Sequence, residues 1–234
     1  CQHSPIDWSQ CEGEPPQREW TWDNMVPRGH VTSLFGDGGA GKTLMAQQLG
    51  TCVATGCQQV ESTLYGKSKI IPMKLFGKQI RKGPVICLFG EDDEDELWRR
   101  QDAINLHYGL TMNDIGDLHA MSGFGLDNIL MSFDQSTGKS SALQQYILKM
   151  ASDIKPELII IDNIADTFAG KEADRSQANQ FLKVALGSIV REYGCSILLL
   201  GHPSIAGMNT GSGFSGSTAW NNGVRSRLYM ERMD

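Results

Sequence analysis

The stretch Gly36-Asp37-Gly38-Gly39-Ala40-Gly41-Lys42-Thr43 decides the fold of this chain. It spells G-x-x-x-x-G-K-T, the form of a loop that cradles the phosphates of a nucleoside triphosphate. Glycines let the backbone wrap closely round an anion and turn several N–H groups inward. The helix that follows adds its positive N-terminal end. Lys42 is placed to reach the β- and γ-phosphates, and the Thr43 hydroxyl to bind Mg²⁺. Gly36, Asp37, Gly38, Gly39, Ala40, Gly41, Lys42, Thr43 and Leu44 are therefore the candidate nucleotide contacts.

The flanks have the order such a loop requires. Val31 to Phe35 is a strand-like run. From Thr43 to Val53, Met45, Leu49, Cys52 and Val53 recur at helical spacing, with Gly56 as the expected stop.

Further out, short apolar runs alternate with amphipathic stretches. Val85–Phe89, a run near Leu118–Met121, Leu158–Ile161 and Ser196–Leu200 read as strands. Helices are expected from the acidic run Glu91–Glu96 to about Tyr108, over 140–154, and over 174–193 with Gly194 as its end. Wholly apolar strands alternating with helices predict an α/β fold, a mostly parallel twisted sheet covered by helices on both faces.

Residues 1–30 carry Pro5, Pro15, Pro16 and Pro27 and three of the five tryptophans (Trp8, Trp20, Trp22). They read as an arm that packs on a core domain spanning 31–234. The basic stretch 57–82 reads as a hairpin or loop, equally suited to solvent and to a nucleic-acid or subunit contact. The stretch 203–217 is rich in Gly, Ser and Asn, and a long loop in a compact domain usually has a function. Its hydroxyls and backbone can face a phosphate backbone; the alternative is a plain connection.

The chain has 234 residues, 40% of them hydrophobic, and a net charge of −6. That balance argues against a broad basic surface for duplex DNA, although a local basic channel is compatible with it. No apolar run approaches the length of a membrane span, and no signal peptide is visible. The six cysteines show neither C-x-x-C nor zinc spacing. A reduced, cytoplasmic protein is expected.

In an open parallel sheet, ligands bind beyond the carboxyl ends of the strands. Asp162 follows four apolar residues, as the Mg²⁺-holding aspartate of phosphate-loop enzymes does; a strand-terminal aspartate that caps the next loop is the other reading. Glu91 follows the second strand and suits a base for the attacking water, with Asp92 as its rival. Charge complementarity to a helix N-terminus also explains acidic residues there. His202 follows the Leu198–Leu200 run and could contact the γ-phosphate; a lone histidine with no functional role is the other reading. Arg225 and Arg227 alternate in Val224-Arg225-Ser226-Arg227-Leu228, so a strand would point them the same way. Paired guanidinium groups suit transferring phosphoryl charge; surface ion pairs are the other reading.

The segments PPQREW (15–20), VPRGHVTSLFGDGGAGKT (26–43), GEDD (90–93), IIIDNIADTF (159–168), GHP (201–203) and GSTAWNNGVRSRLYM (216–230) together resemble the RepA-like ATPases, RecA-fold proteins of plasmids, phages and integrated elements. The resemblance spans about residue 14 to the C-terminus. It implies a RecA-like P-loop NTPase fold, ATP and Mg²⁺ as ligands, and a homo-oligomer, typically a hexameric ring, acting as a helicase on single-stranded DNA. It implies Lys42 and Thr43 in the phosphate loop, Glu91 as catalytic base, Asp162 as the Mg²⁺ aspartate and His202 as γ-phosphate sensor. An arginine of VRSR, Arg225 in preference to Arg227, is the finger given to a neighbouring subunit.

The family usually continues beyond VRSR with further strands. A chain truncated at its C-terminus, with weaker ring assembly, is the expectation. Three functions follow: a motor on single-stranded DNA, with replication or recombination proteins as further partners; a non-motor ATPase or loading factor that binds DNA or a protein in an ATP-dependent way; and a signalling switch in the style of circadian-clock RecA-fold ATPases.

Overall fold

The computed structural model describes residues 4–62, 67–202 and 217–232. Six strands form the central sheet: β1 Val31–Gly36, β2 Val85–Phe89, β3 Leu118–Ser122, β4 Leu158–Asp162, β5 Ser196–Gly201 and β6 Ser226–Met230. Their order is β6-β1-β5-β4-β2-β3, and every pair is parallel. The strand with the phosphate loop thus lies between β5 and the edge strand β6.

Period-two alternation splits each apolar run between two cores. Cys87 and Phe89, Leu158 and Ile160, and Leu198 and Leu200 face one side. Helices α1 (Lys42–Thr55) and α2 (Glu94–Tyr108) cover them with Leu49, Val53, Leu97 and Ile104. Ile86 and Leu88, Ile159 and Ile161, and Ile197 and Leu199 face the other side. That side is closed by α3 (Ala142–Ile154) and by a helix running Arg175–Gln180, Phe181–Leu186 and Gly187–Tyr193, whose middle turn is π-helical. Because both faces are covered there, the central strands β2, β4 and β5 are near-continuous apolar runs rather than alternations of apolar and polar residues. Each fully buried Leu or Ile contributes about 1.5–3 kcal/mol.

Local chemistry sets the helix ends. Asp93 caps α2 and Ser141 caps α3 through side-chain oxygens, and Gly56, Gly109 and Gly194 end their helices in the left-handed conformation.

The arm meets the core unevenly. Trp20–Trp22 pairs antiparallel with Val26–Pro27, and Trp22 is fully buried. Residues 4–19 are exposed, with Trp8 73% exposed. Thr21 and Arg28 bind the buried Glu157 carboxylate at 2.7 and 3.1 Å. The basic stretch forms an antiparallel pair, Cys57–Ser62 with Lys67–Pro72, and a short one, Lys74–Leu75 with Lys78–Gln79.

The sequence reading lacked a small second sheet. Met131–Asp134 pairs antiparallel with Thr137–Ser140 and parallel with Phe168–Ala169. These strands are two to four residues long and half-polar, too short for a clear period. Among the described residues no helix is long and apolar enough to cross a membrane.

Candidate active site

Strand register brings the candidate residues to one edge. Asp162 stands beside Phe89, Ile161 beside Leu199, Gly201 beside Phe35, and Met230 beside Gly36. The residues that follow these positions, Glu91, Asn163, His202 and the phosphate loop, therefore leave the sheet along a common rim.

Gly39 and Gly41 have φ of 73° and 88°, which side-chain-bearing residues rarely adopt. Gly41 is the N-cap of α1 without any side-chain cap, so the first amides of the helix are left to a ligand. Asp37, Gly38, Gly39 and Leu44 are exposed, while Gly36 and Lys42 are buried. Lys42 Nζ donates to the carbonyls of Gly36 and Asp37 at 2.7 and 2.9 Å. Burial pushes its pKa down, partly offset by the charges of Asp162, Glu91 and Asp37.

Lys42 Nζ also lies 3.4 Å from His202 Nδ1. An ammonium has no acceptor site, so Nδ1 accepts and the ring proton sits on Nε2. The Thr43 hydroxyl favours the charged form of the Asp162 carboxylate. Burial first, then the charges of Glu91 and Asp92, push the Asp162 pKa up to about 6. Thr43 and Asp162 are hard oxygen donors facing surplus negative charge, so a divalent cation fits between them. Among the described residues no group of three or more His, Cys, Asp or Glu is arranged to hold a metal.

The acidic run separates into distinct roles. Asp92 is engaged by Arg100, with Arg100 Nη2 at 3.0 Å from Oδ1 and Nη1 close to Oδ2. Asp93 caps α2, and Glu94–Glu96 lie in its first turn. Glu91 alone is exposed at the rim beside the strand end, and its Oε1 accepts from Asn163 Nδ2 at 2.7 Å.

Asn163 and Asp166 are absent from the sequence-derived set. Asn163 is 2% exposed, and its Oδ1 caps the short helix Ile164–Thr167 through the amide of Asp166. The Asx residue immediately after the strand aspartate was the available signal.

Arg225 and Arg227 are not brought to this rim. Both are exposed: Arg225 lies just before β6, and Arg227 and Tyr229 alternate along it with Ser226, Leu228 and Met230, which are less exposed. Arg225 N donates to Val31 O at 2.9 Å. Met230 stands beside Gly36, so Arg225 lies about 16 Å back along the strand. A cavity of about 560 Å³ opens there, with His30, Lys183, Arg191 and Arg225 in its lining. Of the stretch 203–217, expected to face a phosphate backbone, residues 203–216 lie outside the described residues.

A family model described as "AAA domain" matches residues 1–208. The chain belongs to the AAA domain family. No curated protein matches the sequence. Among solved structures, this AAA domain is similar to a KaiC-like protein from the hyperthermophilic archaeon Pyrococcus horikoshii OT3. Identity is 18%, the match covers 93% of this chain and 82% of the other, and the TM-score is 0.55. At that identity the likeness establishes the fold, which is RecA-like α/β. The AAA domain is thus an ATPase of the P-loop NTPase superfamily.

Proposed function

We propose that this AAA domain is an ATP-driven motor of the RepA-like helicase type, acting as a homo-oligomeric, typically hexameric, ring on single-stranded DNA in replication or recombination of a mobile element. The observation that carries it is the division of the catalytic groups. The phosphate loop, Glu91, Asp162 and His202 share one rim, while Arg227 sits on the edge strand and Arg225 just before it, beside Val31 at the start of β1, about 16 Å back from Gly36. An arginine so placed suits the ATP of a neighbouring copy.

Lys42 and the loop amides hold the phosphates, with Gly36, Asp37, Gly38, Gly39, Ala40, Gly41, Thr43 and Leu44 as contacts. Mg²⁺ held by Thr43 and Asp162 would neutralise charge developing between the β- and γ-phosphates. Glu91, steadied by Asn163, accepts the proton of the attacking water. His202, with its proton on Nε2, donates to the γ-phosphate. Arg225, or Arg227, stabilises the transferring phosphoryl group in trans. The same reading takes residues 1–30 as an arm on a domain spanning 31–234, supported by the burial of Trp22 and Val26.

The test is steady-state ATP hydrolysis with and without single-stranded DNA, with Lys42→Ala as the blank. Strong stimulation supports the motor and calls for a strand-separation assay. Hydrolysis indifferent to DNA overturns it in favour of a protein-directed switch.

A further inference from the structure

Asp166 is a carboxylate that the site described so far does not use. Its Oδ2 is buried and, among the described residues, has no hydrogen-bond partner. Such an atom is costly to keep unless it gains a donor at some stage.

Its surroundings are those of the active rim. A Cβ on Gly90 would come within 2.6 Å of Asp166 Oδ2 and 3.2 Å of Asp162 O. The carboxylate therefore occupies the space a side chain at position 90 would fill, one residue from Glu91. Asn163 binds both groups, accepting from Asp166 N and donating to Glu91. Burial first and then Glu91 push the Asp166 pKa up. Ile161 of β4 stands beside Leu199 of β5, and a Cβ on Gly201 would meet Ile164 Cδ1 at 2.7 Å, so His202 leaves its strand beside the short helix that carries Asp166.

His202 supplies the missing complement. Its Nδ1 accepts from Lys42, which leaves Nε2–H as a donor. We propose that Asp166 is a positioning residue for His202: Asp166 Oδ2 takes the Nε2–H of the imidazole whenever the γ-phosphate does not, so that His202 alternates between two acceptors. This rests on the reading of His202 as the γ-phosphate sensor. Without Asp166 the ring loses its second position, and resetting the site after each turnover slows.

The experiment is a double-mutant cycle on ATP turnover by the full chain, using His202→Ala, Asp166→Ala and both together, with Asp166→Asn as the conservative variant. The expected result is a fall in kcat of about tenfold for each single change, with KM moved by less than about twofold, and no further fall in the double variant. Asparagine still offers an oxygen, so Asp166→Asn restores kcat to within about threefold of the parent. A purely structural Asp166 would instead lower the melting temperature and kcat in every background. Effects that multiply, an unchanged kcat in Asp166→Ala, or an Asn variant as slow as Ala overturns the proposal. If the alanine variants do not fold, Asp166→Asn crossed with His202→Gln gives the same cycle and is judged by the same non-additivity. Should His202→Ala alone keep full turnover, the sensor reading falls and this proposal with it. Should it slow turnover while the effects multiply, only Asp166 is misassigned.

Discussion

Asn163 holds Glu91 through a 2.7 Å hydrogen bond that joins the ends of two neighbouring strands, β4 and β2. The glutamate is exposed but not free to swing, because its Oε1 is tied to an amide that is itself 2% exposed. A base fixed in this way loses little orientational entropy when water attacks.

Glu91→Gln is therefore expected to bind ATP normally and to lower kcat by about a hundredfold or more. Asn163→Ala leaves the base chemically intact but loose, and lowers kcat by about tenfold. It also removes the cap of Ile164–Thr167, at a cost of about 1 kcal/mol. Steady-state kinetics with thermal melts separates the two effects. If Asn163→Ala turns over at the parental rate, the bond to Glu91 has no catalytic role.

The position of Arg225 predicts complementation between inactive proteins. Arg225→Ala and Glu91→Gln should each lose turnover, the former by about a thousandfold with much less loss of ATP binding. Mixed together, they form interfaces at which one copy supplies Glu91 and the other supplies Arg225. Recovery of hydrolysis on mixing supports a finger in trans. Two inactive proteins that stay inactive when mixed, though shown to co-assemble, would count against it. The same experiment with Arg227→Ala decides between the two arginines.

Asp162 predicts an unusual pH response. Its folded pKa of about 6 lies above the ordinary aspartate value of 3.8. Between those values the folded chain keeps a proton that the unfolded chain has released. This group's contribution to stability therefore falls as pH rises through that window, by about 3 kcal/mol in all. Asp162→Asn removes the buried charge, so without Mg²⁺ at pH 7.5 it should melt several degrees above the parent. It should also lose the extra stabilisation that MgATP gives the parent. Melting curves at pH 5 and 7.5, with EDTA and with MgATP, test both points. A lower melting temperature for Asp162→Asn in EDTA at pH 7.5 would refute the electrostatic account.

At the opposite end of the sheet, Glu157 accepts from Thr21 at 2.7 Å and pairs with Arg28 and Arg81 at 3.1 and 3.4 Å. Its side chain is 7% exposed, so removal leaves buried donors without an acceptor. Glu157→Ala should destabilise the chain by about 3 kcal/mol in urea unfolding without changing MgATP affinity. A loss of affinity equal to the loss of stability would mean that the arm communicates with the rim.

Much of this molecule was legible locally. The glycine loop, the apolar strand runs and the residues ending each run follow from spacing alone, since backbone geometry repeats every two or 3.6 residues. That was enough to define the α/β sheet and to nominate Lys42, Thr43, Glu91, Asp162 and His202. The six-strand order is not written in any such period. It follows from which faces bury best against which, and it places β4 between β2 and β5.

Only that order brings Asn163 to Glu91 across 72 residues of chain. It is also the folded packing that ties Asp92 to Arg100 and leaves Glu91 to Asn163 at the rim. Asp166 comes to lie behind Gly90, on a helix packed against Gly201, for the same reason. Strand-end chemistry is a property of short stretches and could be read from the sequence, whereas the partner of each strand-end group depends on long-range packing, which only the tertiary structure decides.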